Sequence, residues 1–217
     1  GWQYADIICF TSGTFIETDA GPRLIEDLRP GDRVTRADGS HSPLRLIMRR
    51  DIDGFDLFQN PNYYPVRILA GALGAGIPGR DLLLSRQHRL LLRSAIAERM
   101  FGQREVLVSA IRLTALPGIF VDDKVDQVSY FHLVFDAHEI LLAEGAPAES
   151  LLAGAQALSS LDAEAQQELH TLFPEMAQAT WNMHSAALIP DMKHQKKLLD
   201  RHAKNQKPVL ERGTAAA

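Results

Sequence analysis

A single cysteine, Cys9, stands in 217 residues, so no disulfide can form within the chain and cysteine usage does not identify a compartment. No apolar run approaches the roughly 18–20 residues that span a bilayer. Gly1 to Phe10 hold neither a basic leader nor a signal-length apolar core, so no secretory signal is expected there. The chain begins without Met, in the manner of a piece of a longer precursor. Neither sign of charge dominates: 23 basic against 27 acidic residues, net -4, do not supply the basic field that nucleic-acid binding needs. Eight histidines are present, but no His-Glu-x-x-His, Cys-x-x-Cys or EF-hand loop, and a zinc site takes three or four converging ligands. No metal and no cofactor is therefore expected. What remains is ordinary globular composition, 46% hydrophobic and 23% charged, enough for one large domain or a domain with a smaller extension.

Two textures divide the sequence. From about Asp6 to Leu142, short apolar runs alternate with turn signals. Thr14 to Thr18, Arg33 to Arg36, Leu44 to Met48, Val66 to Leu69, Leu82 to Leu84, Arg89 to Leu92, Val106 to Ser109, Phe131 to Phe135 and Ile140 to Leu142 read as strands. Asp38-Gly39 reads as a hairpin turn of type I′, which needs positive φ. Glu26 to Leu28 fits one helical turn, the glycine-rich stretch Ala70 to Arg80 a loop, and Ala95 to Met100 either a short helix or a strand edge. Many short strands at close spacing predict a mainly β body. From about Ala148 onward the chain turns Ala-, Gln-, Glu-, Leu- and Lys-rich. There Ser159 is the expected N-cap of a helix with Leu161, Ala165, Leu169 and Leu172 on one face, ended by Pro174. A second, mostly solvated helix is expected from about Met192 to His202, and Gly213 to Ala217 should fray.

Cys9 lies between Ile8 and Phe10, and a cysteine among apolar neighbours is more often a buried small hydrophobe than a nucleophile. The surroundings shift that reading. Cys9 is followed by Gly13-Thr14 and then by Leu28-Arg29-Pro30-Gly31-Asp32-Arg33-Val34. A second block reads Leu83-Leu84-Ser85-Arg86-Gln87-His88-Arg89-Leu90-Leu91. A third runs from Tyr130 through His132, Asp136 and His138 to Gly145. Together these blocks resemble the Hint (Hedgehog/intein) family, and most closely its bacterial intein-like autoprocessing members. The resemblance covers roughly Cys9 to Ser150. It implies a horseshoe-like all-β fold over residues 9–150, with 1–8 as the end of an upstream segment and 151–217 as a helical C-terminal extension.

The resemblance also implies roles. Cys9 would attack the Ile8–Cys9 peptide bond in an N-to-S acyl shift, with its own upstream polypeptide as substrate. His88 would protonate the leaving nitrogen and Ser85 would orient the same group. His132 stands where inteins carry Asp, and with His138 it is a candidate for deprotonating the thiol. Where a splicing intein carries His-Asn, this chain has Glu149-Ser150, which cannot cyclise to a succinimide. Cleavage without splicing is therefore expected, the thioester being resolved by water, a thiol or an amine. The chemistry is demanding: amide resonance favours the peptide bond, and a free thiol with pKa about 8.5 is only slightly ionised at neutral pH.

Two other readings stay open: a catalytically silent binding or structural domain on the Hint architecture, and a Cys-His hydrolase acting on other chains, for which no third orienting group is evident. The apolar stripe of the tail, with Phe173 and Trp181 near it, is expected either to pack on the β body or to dock a partner.

Overall fold

The computed structural model describes residues 8–153, 161–177 and 183–211. The predicted alternation of short apolar runs appears as strands β1 (Phe10–Thr11), β2 (Phe15–Thr18), β3 (Gly21–Leu24), β4 (Arg33–Thr35), β5 (His41–Pro43), β6 (Leu46–Ile52) and β7 (Val66–Ile68), then β8 (Leu82–Leu84), β9 (Arg89–Arg93), β10 (Glu105–Ser109), β11 (Ile119–Val121), β12 (Val128–Val134), β13 (Ile140–Ala143) and β14 (Ala146–Glu149). The helices are α1 (Gly54–Gln59), α2 (Ala95–Phe101), α3 (Ala110–Leu113), α4 (Ala163–Leu172) and α5 (Met192–Asn205). The fold is mainly β, as expected, with helical structure toward the C-terminus. No helix among the described residues is long and apolar enough to cross a membrane.

The strands form two antiparallel sheets. The first runs β11-β7-β8-β1-β12-β6. The second runs β10-β9-β14-β13-β2-β4-β5, with β3 paired to β2. The chain passes from the first to the second between β1 and β2, between β8 and β9 and between β12 and β13; at the middle passage the His88 N–H donates to the Ser85 carbonyl at 3.1 Å. One large core draws on both sheets, through Phe10, Leu84 and Phe131 of the first and Ile16, Leu90 and Leu141 of the second.

Local chemistry decides the ambiguous segments. Residues 95–101 are helix because Ser94 Oγ accepts the Ala97 N–H and Gly102, at φ 69°, closes the last turn. The β4–β5 hairpin turns at Asp38-Gly39, but only Gly39 has positive φ, 84°, so the turn is not type I′. Asp38 instead accepts the Ser40 N–H through its carboxylate at 2.9 Å. The paired positive φ values fall at Glu144 (50°) and Gly145 (80°), between β13 and β14.

The described residues of the tail belong to the packed body. Helix α4 is capped by Asp162, whose carboxylate accepts the Ala165 N–H at 2.8 Å. The expected cap, Ser159, lies outside the described residues, as does Trp181. Leu172, expected on the buried face, is exposed, and Phe173 is buried instead. Leu161, Leu169 and Phe173 share an apolar cluster with Ile8, Leu46, Met48 and Val134. Leu198 and Leu199 of α5, with Val209 and Leu210, enter the main core. The final stretch lies so close to the 70–80 loop that a Cβ on Gly74 would come within 2.5 Å of Pro208 Cβ.

Candidate active site

The position of Cys9 follows from strand register. In β1, Phe10 pairs with Phe131 of β12 and with Leu84 of β8. Continuing both antiparallel ladders by one residue sets Cys9 opposite His132 on one side and Ser85 on the other. Side-chain and backbone bonds then fix the site. The Cys9 N–H donates to Ser85 Oγ at 2.9 Å, and the Ser85 N–H donates to the Cys9 carbonyl at 3.1 Å. Cys9 Sγ lies 3.4 Å from His132 Nε2 and 3.6 Å from Nδ1. His132 Nδ1 is 2.7 Å from the Ile8 carbonyl oxygen. One imidazole therefore touches both the thiol and the carbonyl of the Ile8–Cys9 bond.

Because a carbonyl only accepts, the short contact to Ile8 places the proton of neutral His132 on Nδ1 and leaves the lone pair on Nε2, the ring nitrogen nearer the thiol. The same reasoning applies to His88. Its Nε2 is 2.9 Å from the Glu149 carbonyl, so that nitrogen carries the proton. His88 Nδ1 is then a buried lone pair with no hydrogen-bond partner, held on a ring packed edge-to-face on Phe10 at 4.4 Å. The resemblance implies that His88 serves the scissile nitrogen; in the intact chain Ser85 bonds that nitrogen and His88 Nδ1 waits unpartnered.

Burial governs the electrostatics. The Cys9 thiol is pushed well above its usual range by desolvation, opposed by a hydrogen bond from Ser85 and the positive charge of Arg50. His132 is pulled down to about 4, first by burial and then by His88 and Arg50, against the favourable Ile8 carbonyl. His88 is lowered by burial, partly offset by Glu149 and by the Cys9 and Glu149 backbone. The resting site is thus a neutral thiol among neutral imidazoles.

His138 is placed apart from this group. Its Nδ1 accepts the Ala186 N–H at 2.9 Å, and its Nε2 donates to Glu149 Oε2 at 2.9 Å, both side chains being fully buried. Glu149 also holds Arg89, through the Arg89 N–H at 2.8 Å and the guanidinium at 3.1 Å. No hydrogen bond joins His138 to Cys9 among the described residues. Glu149 and Arg50 were not singled out from the sequence. Glu149 figured there only as a residue unable to cyclise, and neither carries a spacing signal that foretells its contacts. Ser150, at the position of an intein's terminal Asn, is buried and paired to Glu139 through both its N–H and its hydroxyl. Among the described residues no group of three or more His, Cys, Asp or Glu side chains converges to hold a metal.

No curated protein matches the chain. Among solved structures, the gp41-1 intein is similar over 66% of this chain and 97% of its own, at 12% identity and a TM-score of 0.38. The solution structure of a bacterial intein-like domain from Clostridium thermocellum is similar over 65% of this chain and 96% of its own, at 14% identity and a TM-score of 0.40. The family model described as "Hint domain" matches residues 8–155, a span that starts at the residue before Cys9 and includes Ser85, His88, His132 and His138. That fold is one of autoprocessing-type domains, and the chain belongs to the Hint domain family.

Proposed function

We propose that this domain cleaves its own chain between Ile8 and Cys9, once per molecule. The observation that carries the reading is the His132 ring, which reaches the Cys9 thiol and the Ile8 carbonyl together. Cys9 Sγ–H gives its proton to His132 Nε2, and the sulfur attacks the Ile8 carbonyl carbon. Sγ is nearly equidistant from the two ring nitrogens, so alignment on Nε2 takes a small rotation of Cys9 or of the ring. As charge develops on the carbonyl oxygen, the Nδ1–H already bonded to it becomes an oxyanion donor, strengthened by the positive charge the ring has just acquired.

The C–N bond then breaks, the S–C bond remains, and the thiol's proton returns from His132 to the Cys9 nitrogen. That nitrogen keeps its bond to Ser85 Oγ and gains a second hydrogen. His88 Nδ1, a buried lone pair with no partner in the intact chain, accepts it. The interaction exists only once the reaction is under way, which is what lowers a barrier rather than a ground state. Water, a thiol or an amine then takes the acyl group, as in the Hedgehog-like branch when the acceptor is a second molecule, and Cys9 returns to the free thiol. Glu149 and Ser150 have no amide to cyclise, so the downstream junction stays intact.

The test is a reporter domain fused ahead of Gly1, followed by intact mass under dithiothreitol or hydroxylamine. The expected result is release of a fragment ending at Ile8, absent in Cys9→Ala. His132 acting as base predicts a rate that rises through about pH 4 and is flat through neutrality. A rate that instead falls as pH rises through a histidine-like value would assign His88 as the proton donor. The high pKa of the buried thiol also suits a silent binding domain, and an uncut, folded wild type would establish that reading in place of cleavage.

A further inference from the structure

The acyl half of the scissile bond lies in an apolar cluster to which a part of the chain beyond the Hint match contributes. Ile8 is 6% exposed. Within the Hint match its cluster takes Leu46, Met48, Val134, Leu151 and Ala153; beyond residue 155 it takes Leu161, Leu169, Phe173, Met176 and Met183. Two hydrogen bonds hold the described residues of this part. Asp162 caps α4, and the Met183 N–H donates to the Ala153 carbonyl at 3.2 Å. Arg45 lies over the Phe173 ring at 5.6 Å. Cys9, one residue along, belongs to a different cluster with Ile52, Leu57, Val128 and Tyr130. The alternation of an extended chain accounts for the separation: the nucleophile and the acyl side chain enter different apolar clusters, and residues beyond 155 contribute only to the second.

We propose that Leu161, Leu169, Phe173, Met176 and Met183 complete an acyl pocket that reads the residue before Cys9, admitting an aliphatic side chain and keeping water from the acyl thioester. The proposal rests on the cleavage reading above. Its lining residues are apolar, so a charged side chain at position 8 would be buried without a partner. A glycine there would leave the pocket empty and the carbonyl unanchored against His132. After the acyl shift, Ile8 stays in the pocket while esterified to Cys9 Sγ, so the same walls cover the bond that water would hydrolyse.

The experiment uses the full chain with an upstream reporter and varies position 8. Ile8→Val should cleave within about threefold of wild type, and Ile8→Gly and Ile8→Asp should be slower by about ten- to hundredfold. Ile8→Phe should also be slow and should recover when Leu169→Ala, Phe173→Ala or Met176→Ala enlarges the pocket, a rescue that a purely structural tail does not give. On the Ile8 background, the same three variants should raise the share of thioester lost to water against capture by hydroxylamine. Equal cleavage of all Ile8 variants, or no rescue in any pocket variant that keeps its melting temperature, overturns the acyl pocket alone. An uncut wild type overturns the cleavage reading and the pocket with it.

Discussion

His132 and His138 flank the end of β12. Both are buried, and they differ in what surrounds them. His138 has a matched partner on each nitrogen, the Ala186 N–H and the Glu149 carboxylate. His132 spends one nitrogen on the carbonyl that would be cleaved and turns the other to a thiol. Burial with complete pairing holds a strand, a turn and the tail together. Burial with an unpaired ring nitrogen beside a thiol leaves a group able to accept that thiol's proton. His88 differs from both, with Nε2 paired to the Glu149 carbonyl and Nδ1 without a partner. A fully buried polar atom without a partner is costly enough to call for an explanation, and the proposed cleavage would supply one.

The comparison breaks most visibly on rates. His132→Ala would remove the proposed base and oxyanion donor together, and cleavage of an upstream fusion should fall about 10³-fold in protein that circular dichroism shows to be folded. A drop of less than about tenfold would remove His132 from the chemistry. On the paired side, Glu149→Ala leaves Arg89 and His138 facing an empty buried position, and urea unfolding should show a loss of about 3 kcal/mol or more. A loss below about 1 kcal/mol would mean that water replaces the carboxylate at no cost.

The smallest effect is a slope. His132 titrates near 4 in the folded chain, against about 6.5 unfolded. The unfolded chain therefore takes up the proton first on acidification. The stability this buried neutral ring contributes is complete above about pH 6.5 and is lost as pH falls toward 4, by about 2 kcal/mol at pH 5. His88 adds in the same direction. Denaturation at pH 7 and pH 5 reads the difference, and His132→Ala should flatten it.

The sequence made most of the strands legible because β2, β6, β8, β9 and β10 carry branched or long apolar residues between turn signals. It did not show β14. Ala146-Pro147-Ala148-Glu149 has low strand propensity and no alternation, yet all four residues are buried. Its register comes from the Glu144–Gly145 turn and from the central position between β9 and β13, both tertiary facts. Family resemblance pointed to Cys9, Ser85, His88, His132 and His138 but not to their grouping. The meeting of Cys9 with His132 depends on β1 pairing with β12 across most of the chain, and a pattern along the sequence cannot show which strands become neighbours. Glu149 was illegible as a partner for the same reason: its three contacts come from elements it meets only after folding.

The shortest strand carries one more consequence. β1 is two residues long and lies between β8 and β12, in the interior of its sheet. Cutting the bond before Cys9 creates a new chain end there, an α-amino group among apolar walls. An exposed α-amine has pKa about 7.7–8, and burial lowers it toward the neutral form. A neutral amine held beside its own thioester is well placed to attack it and restore the amide. The domain would then act as a reversible exchange, open in both directions until an outside nucleophile carries the acyl group away, and the direction of processing would be set by what arrives at the site rather than by the bond first broken.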